Sequence, residues 1–190
     1  MPRRKITFVP GSYYHLYNRG HNRQNIFFER ENYLFFLTQF RRYFIDEGIL
    51  EVIAYCLMPN HYHFLVRLRT DDLSFNMQGF TLSYTKAMNR RYERCGSLFQ
   101  GRFHAILVEQ TDYLLTLTRY IHLNPVKARF VDRPEDWEFS SYPEYVGLRQ
   151  GTLPKLDALG QQWRSPTAYQ GFMADVEVAS PTVLNLMLDL

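Results

Sequence analysis

The stretch "LMPNHYHFLV" sets two histidines, His61 and His63, on either side of a tyrosine in an otherwise apolar run. Strand side chains alternate between faces, so the two imidazoles point one way and Tyr62 the other. So placed, they can converge on one metal ion; two histidines on an exposed strand face can equally be plain surface. A second group lies downstream in "TDYLLTLTRYIHLN". At about 100° per residue, Tyr113, Thr116, Tyr120 and Asn124 share one helical stripe beside the apolar stripe of Leu114, Leu117 and Ile121. Tyr120 reads either as a half-buried aromatic that anchors the helix or as a phenol that does chemistry. With an ordinary pKa near ~10, a phenol is a poor nucleophile unless a metal or base assists it. His122 projects elsewhere on the same helix and reads as structural, while His15 and His104 carry no assignment.

The elements that must position these groups follow from periodicity. "SYYHLYNRG" alternates, with Tyr13, His15, Tyr17 and Arg19 on one face and Tyr14 and Leu16 on the other, and Gly20 closes it as a strand. "ENYLFFLTQFRRYFIDEG" carries a helical apolar stripe of Tyr33, Phe36, Leu37, Phe40, Phe44 and Ile45. "ILEVIAYCLM" is a buried strand, Pro59-Asn60 a turn, and residues 61–68 the next strand. A long helix spans about Leu73 to Arg94, with Leu73, Met77, Phe80, Tyr84 and Ala87 inward and Lys86, Arg90 and Arg94 forming a basic ridge. "FHAILVE" gives a fourth strand before the tyrosine helix, and "NPVKARFV" reads as a separate short helix that Asn124 caps, with Pro125 at its first position. The order β-α-β-β-α-β predicts an α+β, ferredoxin-like antiparallel sheet with helices on one face, the other face free, and a helical C-terminal extension. Residues 1–150 form the main domain; residues 132–150 wrap it, and 151–190 are a polar extension with a helix near 168–178.

Charge is uneven. Residues 1–130 hold 18 Lys+Arg against 10 Asp+Glu, residues 131–190 hold 4 against 9, and eighteen of the twenty-two cations are arginine. Arginine pairs with phosphate bidentately and stacks on bases, so a basic, aromatic-rich body points to nucleic acid, against the plainer reading of solvated arginines and core aromatics. No apolar run is long enough for a membrane span. The basic start is followed by no apolar signal core, and Cys56 and Cys95 lack metal or redox spacing, so reduced thiols in the cytoplasm are expected.

"YNRGHNRQNIFF", "MPNHYHFLV", "QGRFHAILVE" and "RYIHLNPVKARFV", in that order, resemble the HUH tyrosine transposases of bacterial insertion sequences, and within them the REP-associated tyrosine transposases. The likeness covers roughly residues 8–148 and continues in "SSYPEYVGL". It implies a single-strand DNA endonuclease and strand-transferase working through a 5′-phosphotyrosine on DNA hairpins, as a monomer or homodimer. By motif, it makes His61 and His63 ligands of Mg²⁺ or Mn²⁺, Tyr120 the nucleophile, and Asn124 a third ligand where related enzymes use glutamine. Arg90, Arg94 and Arg102 are candidates for holding phosphates, and Tyr13 and Tyr17 for stacking bases. Two other readings compete. A water-using metal phosphoesterase needs further ligands, for which Asp71 and Asp72 stand nearest in sequence. A non-catalytic ferredoxin-like nucleic-acid-binding module explains the arginines and tyrosines but leaves His61, His63 and Tyr120 without a role.

Overall fold

A computed structural model describes residues 7–109, 111–160 and 165–174. Four antiparallel strands, β1 (Tyr13–Arg19), β2 (Leu50–Met58), β3 (His61–Leu68) and β4 (His104–Val108), lie in the order β2-β3-β1-β4. Helix α1 (Arg30–Phe40) connects β1 to β2, and α2 (Leu73–Arg91) connects β3 to β4. This is the expected ferredoxin-like arrangement.

Period-two alternation sorts the side chains between two cores. Tyr14 and Leu16 of β1, and Tyr62, Phe64, Val66 and Leu68 of β3, face α1 and α2. There Phe36 and Phe40 meet Phe80 edge-on, and Phe40 stacks on Phe64 with ring centroids 4.1 Å apart. The stripe of α1 carries on into a single wider turn at Arg41–Ile45, which brings Phe44 into the same core. Helix α2 ends at Arg91, so Arg94 stands beyond it instead of completing a helical ridge.

The opposite sheet face is not left free. Helix α3 (Thr111–Lys127) crosses it, with Leu114, Leu117 and Ile121 buried against Ile53, Ala54, Cys56, Met58 and Leu65. Nor does the chain break before Pro125, because α3 runs through it to Lys127. Proline removes one N–H and crowds the preceding turn. Here it falls in the last turn, where Ala128 and Phe130 N–H groups still close onto the Asn124 and Pro125 carbonyls, both at 2.9 Å. Asn124 is therefore a helix-interior residue rather than the cap of a new helix.

Beyond α3 the chain wraps β2, as expected. Leu57 N–H donates to Phe139 O, Ser141 N–H to Tyr55 O, and the Trp137 indole to Leu57 O. A short helix α4 (Tyr142–Tyr145) follows, and α5 (Pro166–Ala174) packs Tyr169 and Met173 into the α3 core. The helix expected near 168–178 thus begins slightly earlier; positions past 174 lie outside the described residues. His122 fastens these parts together, with Nδ1 2.6 Å from the Tyr169 hydroxyl and Nε2 2.7 Å from Ser141 Oγ. Among the described residues, no helix is long and apolar enough to cross a membrane.

Burial holds the His122 imidazole down at about 3, against an ordinary value near 6.5 in the unfolded chain. Between those values the unfolded chain binds the extra proton, so stability is full above about pH 6.5 and declines as pH falls towards 3. Denaturant titrations between about pH 7 and pH 4.5 should show this decline. His122→Gln, which keeps polar partners but does not titrate, should flatten it by up to about 1.4 kcal/mol per pH unit. An unchanged slope would assign the acid sensitivity to other groups.

Candidate functional site where α3 crosses β3

Strand β3 sends His61, His63, Leu65 and Arg67 to the α3 side of the sheet, with His61 opposite Met58 on β2 and Arg19 on β1. Leu117 and Ile121 seat α3 there, and the residues one stripe over are carried to the histidines. The Tyr120 ring stands edge-on to His63 at 5.5 Å between centroids. One turn later, Asn124 Oδ1 lies 3.3 Å from His61 Nε2. The spacing of His61, His63, Tyr120 and Asn124 in the sequence thus becomes one cluster.

His63, Tyr120 and Asn124 are buried, and His61 is partly exposed. His63 is fully buried and Tyr120 is 8% exposed. Desolvation holds His61 down at about 4, with Asn124 opposing and Arg19 adding to the shift, and pushes His63 well below its ordinary value. Both imidazoles are neutral at physiological pH and offer lone pairs without competition from protons. Burial pushes the Tyr120 phenol up, against a lowering contribution from Asn124. The phenol is therefore protonated at rest.

The donor set fits a divalent cation. His63 Nε2 is buried with no hydrogen-bond partner, a costly state for an imidazole nitrogen unless something else binds it. The 3.3 Å between His61 Nε2 and Asn124 Oδ1 is near the roughly 3 Å between neighbouring donors around an octahedral ion with bonds of about 2.1 Å. No group of three or more His, Cys, Asp or Glu side chains is placed to hold a metal among the described residues. Asp71 and Asp72 follow the far end of β3, seven strand steps or roughly 23 Å from His61, so the ligands needed for a water-using phosphoesterase are not assembled.

The candidate nucleic-acid residues are dispersed. Tyr13, half-buried on the α3 side, has the Arg67 guanidinium 5.9 Å from its ring centroid. Tyr17 is 4% exposed and stacked against His15 at 4.9 Å and His104 at 4.8 Å. Its ring is thus occupied, and base stacking there does not fit this conformation. Arg90 flanks α1 across the sheet from the histidines, and Arg94 lies over Phe28 and donates to Gln24. Arg102 is exposed before β4, beside a cavity of about 620 Å³ along α2. None of these three arginines touches the histidine–tyrosine cluster.

Sequence reasoning missed four neighbours of the cluster. His15 Nε2 lies 2.9 Å from His63 Nδ1, and Asn60 Oδ1 lies 2.7 Å from His61 Nδ1. Arg19 faces His61 across the β1–β3 ladder. Lys127 holds its ammonium 5.1 Å from the Tyr120 ring centroid. Only Lys127 had a sequence signal, because it is seven residues past Tyr120 and so on the same helical face.

Comparison with known proteins bears on the family and the fold. A REP-associated tyrosine transposase of Escherichia coli is 29% identical over 96 residues, 48% of this chain and 54% of that protein. A Haemophilus influenzae protein assigned to the same group is 30% identical over 103 residues, 48% of this chain and 58% of its own length. The chain thus spans little more than half the length of these curated relatives. A solved REP-associated tyrosine transposase bound to a REP hairpin superposes with a TM-score of 0.66 at 22% identity, covering 83% of this chain and 96% of that one, which shows a shared fold. The family model described as "Transposase IS200 like" matches residues 8–124, a stretch that holds both histidines, the tyrosine and the asparagine, and the chain belongs to that family.

Proposed function

We propose that this chain is a metal-dependent single-strand DNA endonuclease and strand-transferase that cuts through a 5′-phosphotyrosine on Tyr120. The observation that carries the reading is the meeting of His61 Nε2, the partnerless His63 Nε2, Asn124 Oδ1 and the Tyr120 side chain at one crossing of α3 over β3. Mg²⁺ or Mn²⁺ held by the two imidazoles and the amide oxygen would neutralise charge on the scissile phosphate, with manganese the better match to nitrogen ligands.

Each residue then has a task. The Tyr120 oxygen would bond to phosphorus as its proton passes to water, and the bond to the 3′-oxygen would break, that oxygen taking a proton from water to leave as a 3′-hydroxyl. Asn124, one turn from Tyr120, opposes the rise that burial causes in the phenol's pKa. Lys127, near the ring face, favours the phenolate that develops. Because burial raises the phenol pKa, the nucleophile is silent until substrate and cation arrive. A phosphodiester is exchanged for a phosphotyrosyl ester, so another 3′-hydroxyl can reverse the step without nucleotide hydrolysis.

A hairpin-bearing single strand is the proposed substrate, supported by the basic arginine-rich body and by the relative solved with a REP hairpin. Arg19, opposite His61 on β1, flanks the site and suits the strand near the cut; Tyr13, Arg67, Arg90, Arg94 and Arg102 suit more distant backbone. All the site residues come from one chain, so a monomer or a homodimer can house it, in the cytoplasm with its DNA.

Incubated with hairpin-bearing single-stranded DNA and Mn²⁺, the protein should form an adduct that survives denaturing electrophoresis, and the fully paired duplex should not be cut. Tyr120→Phe should abolish the adduct while DNA affinity stays within about threefold, since backbone contacts dominate binding. Cleavage without an adduct would instead indicate attack by water.

Asn124→Ala distinguishes a ligand from a structural residue. Within a helix, alanine is favoured over asparagine by up to about 0.7 kcal/mol, whereas removing a cap costs about 1 kcal/mol. Thermal unfolding of the variant should therefore show equal or slightly higher stability, while the Mn²⁺ concentration needed for cleavage rises. A lowered melting temperature with an unaltered metal requirement would return Asn124 to a structural role.

A further inference from the structure

The hydrogen bonds behind the two histidines determine which nitrogen of each ring carries a proton. Asn60 sits in the two-residue turn between β2 and β3. Its Nδ2 donates to the Arg23 carbonyl at 3.2 Å. A carbonyl only accepts, so the amide is oriented by that bond, and the atom 2.7 Å from His61 Nδ1 is the amide oxygen. That oxygen also only accepts, so Nδ1 of His61 holds the hydrogen and Nε2 holds the lone pair. The lone pair faces Asn124 Oδ1, a second acceptor, across 3.3 Å. Two acceptors this close are both satisfied by a cation bound to each, off the line that joins them.

For His63 the shared hydrogen lies between its Nδ1 and His15 Nε2, 2.9 Å apart. If His63 carries it, His63 Nε2 presents a lone pair; if His15 carries it, His63 Nε2 is protonated and cannot ligate. Both rings are fully buried, and the outer atoms, His15 Nδ1 and His63 Nε2, have no protein partner. Each arrangement leaves one partnerless N–H and one partnerless lone pair, so the pair is balanced until something binds His63 Nε2.

The turn that carries Asn60 is itself held in place. Gly20 N–H donates to Asn60 O, and the Ile26 and Phe27 N–H groups donate to Pro59 O. A side chain at Gly20 would put its Cβ 1.9 Å from Gln24 O, so this close approach needs glycine.

We propose that Asn60 and His15 are positioning residues of the metal site. Asn60 fixes His61, and His15 accepts from His63, in the tautomers that present both Nε2 atoms to one cation. Neither residue touches the ion or the DNA. The inference rests on the metal-binding reading of His61 and His63. Partners of this kind orient ligating imidazoles, and losing one weakens metal binding by about 10–100-fold.

The test uses the whole chain without DNA, with Mn²⁺ affinity measured by calorimetry or by the loss of the free-ion electron paramagnetic resonance signal. Imidazole ¹⁵N spectra of the metal-free protein report the tautomers. Asn60→Ala and His15→Phe should each weaken Mn²⁺ binding about 10–100-fold, while Asn60→Asp and His15→Gln, which keep an acceptor, should recover most of it. The spectra should place the hydrogen on Nδ1 of His61 in the wild type and distribute it over both nitrogens in Asn60→Ala. Since His15 is buried, the partly exposed Asn60 pair of variants decides the matter if His15→Phe does not fold. Unchanged affinity in Asn60→Ala, or equal losses with Asn60→Asp, would overturn the proposal. His61→Ala separates the two levels: if it abolishes Mn²⁺ binding while the Asn60 variants do not alter it, only this inference falls. If the wild type binds no Mn²⁺, or His61→Ala binds as well as the wild type, the metal reading falls with it.

Discussion

The seating of α3 on the second face of the sheet is the contact on which the site depends. Leu114, Leu117 and Ile121 bury against Ile53, Ala54, Cys56, Met58 and Leu65, and full burial of each such helix side chain is worth roughly 1.5–3 kcal/mol. The apolar stripe does more than stabilise. Rotating the helix by one residue turns it about 100°, which would expose Leu117 and carry Tyr120 away from His63. The energetics of packing and the aim of the phenol are therefore set by the same residues.

Dryness is the second constraint. His15, His61 and His63 are all held neutral chiefly by desolvation, and His15 is pushed down to about 3. An exposed pair would spend part of its time protonated near neutral pH and would find water for every nitrogen. Here Tyr17, stacked against His15 and His104, seals the β1 side of the cluster. A tyrosine that reads in sequence as a surface for bases is in fact part of the wall that keeps the imidazoles dry.

What was legible in the sequence follows from periodicity. The strand period placed His61 and His63 on one face, and the helical period placed Tyr120 and Asn124 on one stripe, without any knowledge of neighbours. What was not legible depends on register and on tertiary packing. Pairing Tyr17 with His63 brings His15 to the His63 ring diagonally, and no local pattern in either strand specifies that pairing. Asn60 read as a turn residue because its second role depends on the Arg23 carbonyl, distant in sequence. The continuation of α3 through Pro125 defied the local rule for the residue before proline, since the contacts that hold Ile121 and Asn124 outweigh it. Arg90 was placed in the right helix, on the sheet face that α1 shares, whereas Arg94 falls beyond the helix end.

His122 gives the site a mechanical property. Tyr120, Asn124 and Lys127 ride on one helix, and His122, projecting from its other side, is clamped between Tyr169 and Ser141. Tyr120 is thus mounted on a rod fixed to the β2 edge and to α5. A DNA end esterified to Tyr120 would have little freedom to travel with its tyrosine, because moving it means prising a buried imidazole from both hydroxyls. Under the proposed chemistry, mobility then belongs to the nucleic acid: the incoming 3′ end must come to a stationary ester, and the geometry of rejoining is inherited from the geometry of cutting.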